Sequence, residues 1–331
     1  MKKYGLIITI LLIAVVLCAQ LSGTFAVNEK LKIAFIPQLI GIPYFTAMEQ
    51  GGKDAAKQFN VEFDYVGATT ASAPEQVRIM DSLITQKYDA ISVSVLDSVS
   101  INPIIEKARK AGVAVYTADS DSPNSERQLY VAQAMDQDLG YTLMDTLAKQ
   151  LKNQGKIGIV SGESTATNLN AWIGYMKERI KKYPKMSIVD VRFTTGGSSE
   201  DAFRQAQQLM VRYPDLKGLV AVASSTIPGV ARAVESSNKV GKVKVIGYGS
   251  PNTVRPFVKK GIMEASILWN PRELGYLTVW AGMKLAKNES FSQINKVPGL
   301  SQEIKYFPDT KILLLGSPLV ITKDNVDTFN F

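Results

Sequence analysis

The chain has 331 residues, 46% of them hydrophobic and 21% charged, with a formal net charge of +8. That balance excludes a disordered chain, and the basic residues form no run that would serve as a nucleic-acid arm, so no nucleic-acid partner is expected. Histidine is absent and cysteine occurs once, at Cys18. This excludes a Ser-His-Asp triad, a His-ligated zinc, an intrachain disulfide and a CxxC site.

The first element is an export signal. Lys2 and Lys3 precede an uncharged stretch over residues 5–19, and Thr24-Phe25-Ala26 places small residues at −3 and −1. The stretch is shorter than the roughly 20 residues of a membrane span and matches a signal h-region, with cleavage after Ala26. An uncleaved anchor and a lipoprotein acylated at Cys18 are the alternatives; Leu17, in place of a small residue, argues against the second. The mature chain is expected outside the cytoplasm, periplasmic or extracytoplasmic.

Beyond Lys30, short apolar runs alternate with amphipathic segments of helix length. Strands are predicted over residues 32–37, 61–66, 90–95 and 113–117. Helices are predicted over 44–58, 75–86 and 103–111. Continuous apolar strands separated by helices imply a parallel sheet covered on both faces. The pattern then restarts at residues 156–160 (KIGIV), which echo KIAFI. Thr69-Thr70, Glu75, Tyr88 and Pro103 recur as Thr194-Thr195, Glu200, Tyr213 and Pro228, all at one offset. The shared offset implies two lobes of the same topology.

A helix over 273–287 and a last strand near 311–315 belong to neither copy. The economical placement returns them to the first lobe and sends residues 318–331 back to the second. The expected division is residues 27–132 plus 271–316 for the N-terminal lobe and 133–270 plus 317–331 for the C-terminal lobe. Three crossings would then form a hinge, and the facing carboxyl edges of the two sheets would form a closing cleft.

Reading the loop after each strand gives the candidate ligand residues. The first lobe offers Gln38, Tyr44, Phe45 and Asp119, with Asp121 read as structural. The second offers Asn168, Asn170, Trp172, Ser224, Ser225 and Gly249, and the crossing offers Trp269 and Asn270. Amides, a carboxylate and hydroxyls take sugar hydroxyls pairwise, while aromatic faces cover the C–H face of a ring. No activated nucleophile stands beside a base, and no dinucleotide, P-loop or calcium-loop fingerprint is complete. No catalytic residue, metal or cofactor is expected.

Several segments carry a family resemblance: IAFIPQLIGIPYF (33–45), YTADSD (116–121), TATNLNAW (165–172), GYGSPNTVRPFVKKG (247–261) and ILWN (267–270). With the duplicated α/β lobes, the chain resembles the type I periplasmic binding proteins of ABC sugar importers, most of all the autoinducer-2 and rhamnose receptor group. The resemblance implies two Rossmann-like lobes joined by a three-segment hinge. It also implies a ligand-binding role for Gln38, Asp119, Asn168, Leu169, Val222 and Ser224. Gln38 stands where an autoinducer-2 receptor has a lysine, and Asn168-Leu169 where it has Asp-Gln. The implied partners are a small sugar or autoinducer-2-type ligand, a membrane permease and, as an alternative, a chemoreceptor or sensor kinase; the chain is expected to be a monomer. A rhamnose or other aldose receptor and, more remotely, a secreted carbohydrate-active enzyme are the competing readings.

Overall fold

The structure, a computed structural model, describes residues 29–331. The expected export signal, Cys18 and the expected cleavage site fall outside the described residues. Strand β1 (Lys32–Ile36) leads into helix α1 (Pro43–Phe59), β2 (Glu62–Tyr65) into α2 (Ala73–Thr85), and β3 (Ala90–Val93) into α3 (Asn102–Lys110). Strand β4 (Ala114–Ala118) is followed by the short β5 (Tyr130–Ala132) and by α4 (Asp136–Gln150). The second series runs through β6 (Gln154–Ser161), α5 (Thr167–Arg179), β7 (Lys185–Phe193), α6 (Ser199–Arg212), β8 (Leu216–Ala221) and α7 (Ile227–Ser236). It continues with β9 (Lys244–Gly247), α8 (Pro251–Lys259) and β10 (Ala265–Leu268). Helix α9 (Pro271–Ala286) and strands β11 (Ile294–Asn295), β12 (Ile304–Phe307), β13 (Ile312–Leu314) and β14 (Leu319–Thr322) close the chain.

Local chemistry sets these boundaries. Proline stands in the first two positions of six helices, α1, α2, α3, α7, α8 and α9, where its missing N–H costs nothing. Ser72, Ser198 and Asn270 cap α2, α6 and α9 by accepting backbone N–H groups, as short polar side chains do at this position. Helix α1 ends on Asn60, whose φ of 54° is left-handed, a conformation asparagine tolerates.

The strands form two sheets of related order. In the first, β2-β1-β3-β4-β5-β13 run parallel, and β12 and β11 extend the edge antiparallel. In the second, β7-β6-β8-β9 run parallel. Strand β10 joins β9 through the bridges Val245–Met263 and Tyr248–Ile267, and β14 pairs antiparallel with β10. The strand order reverses between β1 and β3 and again between β6 and β8, which is where ligands bind beyond the strand ends of such sheets. The repeat is visible in space: Pro103 and Pro228 each occupy the second position of their helix, α3 and α7.

Helix α9 packs on α1, and two glycines allow it. A Cβ on Gly51 would lie 1.8 Å from the carbonyl oxygen of Arg272, and one on Gly275 would lie 1.9 Å from that of Met48. Each helix therefore presses its backbone into a notch in the other. Tyr116 on β4 donates from its hydroxyl to the Thr278 carbonyl (2.8 Å), tying α9 to the first sheet. The strands β11 and β12 are not foreseen by the sequence pattern, because they are short edge strands with few buried residues and lack a continuous apolar run.

Candidate functional site

A cavity opens between the carboxyl edges of the two sheets. Gln38, Tyr44, Phe45 and Asp119 line it from the first sheet's side, and Asn168, Leu169, Trp172, Val222, Ser224 and Tyr248 from the second's. Trp269, on the segment between β10 and α9, closes one wall. The cavity measures about 50 Å³, room for one or two waters. Any larger solute requires the two edges to part.

Asp119 is the centre of the first edge. Its φ of 69° puts a non-glycine residue in the left-handed region, a strained geometry that aspartate bears better than most. The turn aims its carboxylate at the cavity, where Oδ1 accepts from the Tyr44 hydroxyl (2.5 Å) and Oδ2 from Ser94 Oγ (2.6 Å). Trp269 Nε1 donates to the same Tyr44 oxygen (3.0 Å). A carboxylate with one donor on each oxygen keeps acceptor capacity on both. Burial pushes the Asp119 carboxyl up to about 6, against the bonds from Ser94 and Tyr44, which hold it down. Burial and the neighbouring Asp119 together raise the Tyr44 phenol well above its ordinary value.

Amides bridge the cleft. Gln38 Nε2 donates to the Val95 carbonyl (3.2 Å) and to Asn168 Oδ1 (3.3 Å), which also accepts from the backbone N–H of Leu169 (2.9 Å). Ser224 Oγ donates to the Tyr248 carbonyl (2.7 Å), so its remaining capacity toward the cavity is as an acceptor.

Aromatic rings form a continuous wall across both edges. Tyr44 meets Trp269 edge-on (5.7 Å between centroids), Trp269 meets Trp172 edge-on (5.7 Å), and Trp172 leans on Tyr248 (4.7 Å). Behind the wall, Trp172 Nε1 donates to Asp136 Oδ1 (2.7 Å). Burial raises the Asp136 carboxyl to about 6; the Trp172 bond opposes this and the charge of Asp121 adds to it.

Eleven of the fourteen candidate residues line this cavity: Gln38, Tyr44, Phe45, Asp119, Asn168, Leu169, Trp172, Val222, Ser224, Ser225 and Trp269. Three do not. Asn170 is one helical step past Leu169, so it points out of α5 and donates to the Ser164 carbonyl (2.8 Å). Gly249 is packed under Ile227, Val254 and Ser266, with its N–H donating to Ser266 Oγ (3.0 Å). Asn270 spends its side-chain oxygen capping α9. Asp121 accepts two bonds from Arg127 (2.5 and 2.6 Å) and holds the loop between β4 and β5, in keeping with its structural reading. The residues unforeseen by sequence reasoning are Leu39, Ile42, Ala223 and Tyr248. Only Tyr248 carried a usable signal, as an aromatic directly after a strand.

The two-sheet architecture and the cavity at the strand ends define the class: a hinged α/β binding protein. A periplasmic binding protein domain model matches residues 33–290, and the chain belongs to that family. Among curated relatives, it is 29% identical over 268 residues to the D-ribose/D-allose-binding protein of Pseudomonas aeruginosa, covering 76% of this chain and 82% of the relative. It is 22% identical over 291 residues to the D-allose-binding periplasmic protein of Escherichia coli, covering 84% of this chain and 90% of the relative. Among solved structures, LsrB from Clostridium saccharobutylicum in complex with AI-2 superposes with a TM-score of 0.85 at 24% identity, covering 91% of this chain and all of that one. A solute-binding protein from Clostridium phytofermentas with bound L-rhamnose also gives 0.85 at 24% identity, over 91% and 98% of the two chains. The family is one of periplasmic sugar-binding proteins of ABC importers and not of enzymes. Among the described residues, no helix is long and apolar enough to cross a membrane.

Proposed function

We propose that this protein is an extracytoplasmic receptor that binds one neutral sugar between its two lobes and hands it to a membrane permease. The observation that carries this reading is Asp119, a strained, buried carboxylate with free acceptor capacity, facing an aromatic wall that closes over the same cavity. Sugar hydroxyls donate to such a group, and ring C–H faces stack on such a wall. In this reading, residues 27–132 with 271–316 and residues 133–270 with 317–331 move as two lobes about the three crossings. Residues 1–26 are removed at export, and the receptor works as a monomer.

The charge of the site favours an uncharged ligand. Asp121 has Arg127 as its counter-ion, but among the described residues neither lysine nor arginine lines the cavity beside Asp119. An anionic ligand, such as a borate diester, would meet an uncompensated carboxylate in a low-dielectric setting. A neutral aldose, as bound by the D-ribose/D-allose-binding relative, fits this balance, and a borate-free autoinducer-2-type furanose is the second ligand that does.

Titration of the purified protein, followed by tryptophan fluorescence, tests the proposal. The panel is D-ribose, D-allose, L-rhamnose, D-xylose, D-galactose and the autoinducer-2 precursor with and without borate. Saturation by one or more neutral sugars is expected. Saturation by the borate form alone would overturn the neutral-ligand reading, and no response from any member, checked by calorimetry, would overturn the sugar-receptor reading.

A further inference from the structure

The cavity at Asp119 does not end at its own walls. Leu39, Ile42, Tyr44, Ser224 and Ser225 line it on one side and line a second, outer chamber on the other. The outer chamber measures about 560 Å³, within the range of small-molecule pockets, while the inner one is about a tenth of that. Resting on the sugar-receptor reading, we propose that the outer chamber is a second subsite. It takes the uncharged substituent of a glycoside, or the second ring of a disaccharide, whose first ring sits at Asp119.

The chemistry of the chamber selects that class. Among the described residues, none that lines it is charged. Its walls combine Leu39, Ile42, Pro43 and Pro228 with serine and threonine hydroxyls, a surface for a molecule with an apolar face and hydroxyl edges. The chamber lies at the start of α6, and a helix start usually invites an anion. Here the amides of the turn just before α6 are engaged by carboxylates of the chain itself, and Asp201 N–H in the first turn of α6 donates to Ser198 Oγ (3.2 Å). Gly196 N–H donates to Glu163 Oε2 (2.6 Å), and Thr195 N–H donates to Asp201 Oδ2 (3.1 Å). A phosphate there would meet the carboxylates of Glu163 and Asp201. One group is left over: Ser199 Oγ is buried against this chamber without a hydrogen-bond partner. Such a hydroxyl gains most from a ligand that supplies one.

The chamber also has a defined mouth. Gly196 and Gly197 hold φ values of 62° and 71°, which glycine alone adopts without penalty. This turn carries the loop across to the first lobe, where the Ala71 N–H donates to the Gly196 carbonyl (3.5 Å). The exposed Thr70 and Thr195 flank that contact, so bulk added at either position narrows the chamber without touching the residues around Asp119.

Calorimetric titration with matched pairs tests the proposal. The pairs are L-rhamnose, D-ribose, D-galactose and D-glucose, each against its methyl and 4-nitrophenyl glycosides, with cellobiose and melibiose added. For whichever sugar binds, at least one extended derivative is expected to bind as tightly as the free sugar or more so. Thr70→Trp and Thr195→Trp are each expected to weaken the extended ligand more than tenfold and to leave the free sugar within twofold. Free-sugar binding with every extended derivative weakened a hundredfold overturns the second subsite while leaving the receptor reading intact. So does an equal loss for both ligands in both variants. Failure of free and extended sugars alike overturns both.

Discussion

The two edges of the cleft are built on the same strand order and do different work. The first lobe contributes a charged, strained and pre-positioned group: Asp119 is held by Tyr44 and Ser94 and keeps acceptor capacity on both oxygens. The second lobe contributes Asn168, Leu169, Val222 and Ser224, which are neutral; Ser224 is held by the Tyr248 carbonyl, and Asn168 by the Leu169 N–H and by Gln38 from across the cleft. A pre-set carboxylate binds strongly from one side alone, whereas neutral contacts add selectivity when the other side closes. On the proposed receptor reading, the difference would assign the first encounter to the first lobe and the completion of the site to the second.

That division can be broken most sharply at Asp119. Hydrogen bonds to a charged group contribute about 1.5–3 kcal/mol each, so Asp119→Ala is expected to weaken the best-bound sugar by about a hundredfold or more. Calorimetry reads the loss, and an unchanged circular dichroism spectrum shows that the fold survives. An affinity within threefold of the parent would remove Asp119 from the binding role.

Acidity should separate the lobes next. The Asp119 carboxyl titrates at about 6 because burial penalises its charge. An ionised acceptor is lost as the pH falls through that value, so affinity should decline by about tenfold between pH 7 and pH 5, and the decline should flatten in Asp119→Asn. Stability runs in the opposite sense. Between about pH 4 and pH 6 the folded protein keeps a proton that the unfolded chain has released. The contribution of this group to stability therefore falls as pH rises through that window. The melting temperature of the parent, relative to Asp119→Asn, should drop over the same range.

A smaller effect is expected on the second edge. Neutral hydrogen bonds contribute about 1 kcal/mol each, so Asn168→Ala should weaken binding about fivefold and leave the pH profile unchanged. A hundredfold loss there would make the two lobes equal partners. The smallest readout is optical. Trp172 and Trp269 touch edge-on, and closure around a sugar should change their joint emission by a few tens of percent at most. Trp172→Phe and Trp269→Phe should each remove part of that change, because Trp172 answers to the second lobe through Asp136 and Trp269 to the first through Tyr44.

Much of this was legible in the sequence because it depends on local rules. Alternating strand and helix patterns, prolines at helix starts and the single repeat offset located the parallel sheets. The loops after the strands located most of the cavity. What escaped depends on long-range geometry. Nothing local distinguishes Asn168 from Asn170; their spacing on α5 turns one inward and the other out. Asn270 reads as a ligand residue until its oxygen is seen capping α9. Leu39, Ile42 and Ala223 look like ordinary apolar loop residues, and only the approach of the opposite edge makes them walls. Strands β11 and β12 become strands by pairing with each other and with β13, a partner that no local pattern reveals.

The path of the chain through the first sheet has a consequence for biogenesis. Strand β13 pairs beside β5, although β6 to β10 lie between the two in sequence. Helix α9, which covers α1, is also made late. A polypeptide emerging amino end first therefore holds an incomplete first sheet, lacking its late strands and its covering helix, until residue 314 is available. The second sheet's β6 to β10 can assemble earlier, because they are continuous in the chain. Non-local pairing of this kind slows folding, so the nascent chain would stay unfolded for longer, which would suit the export proposed above, in which the chain is threaded through a membrane before it acquires its shape.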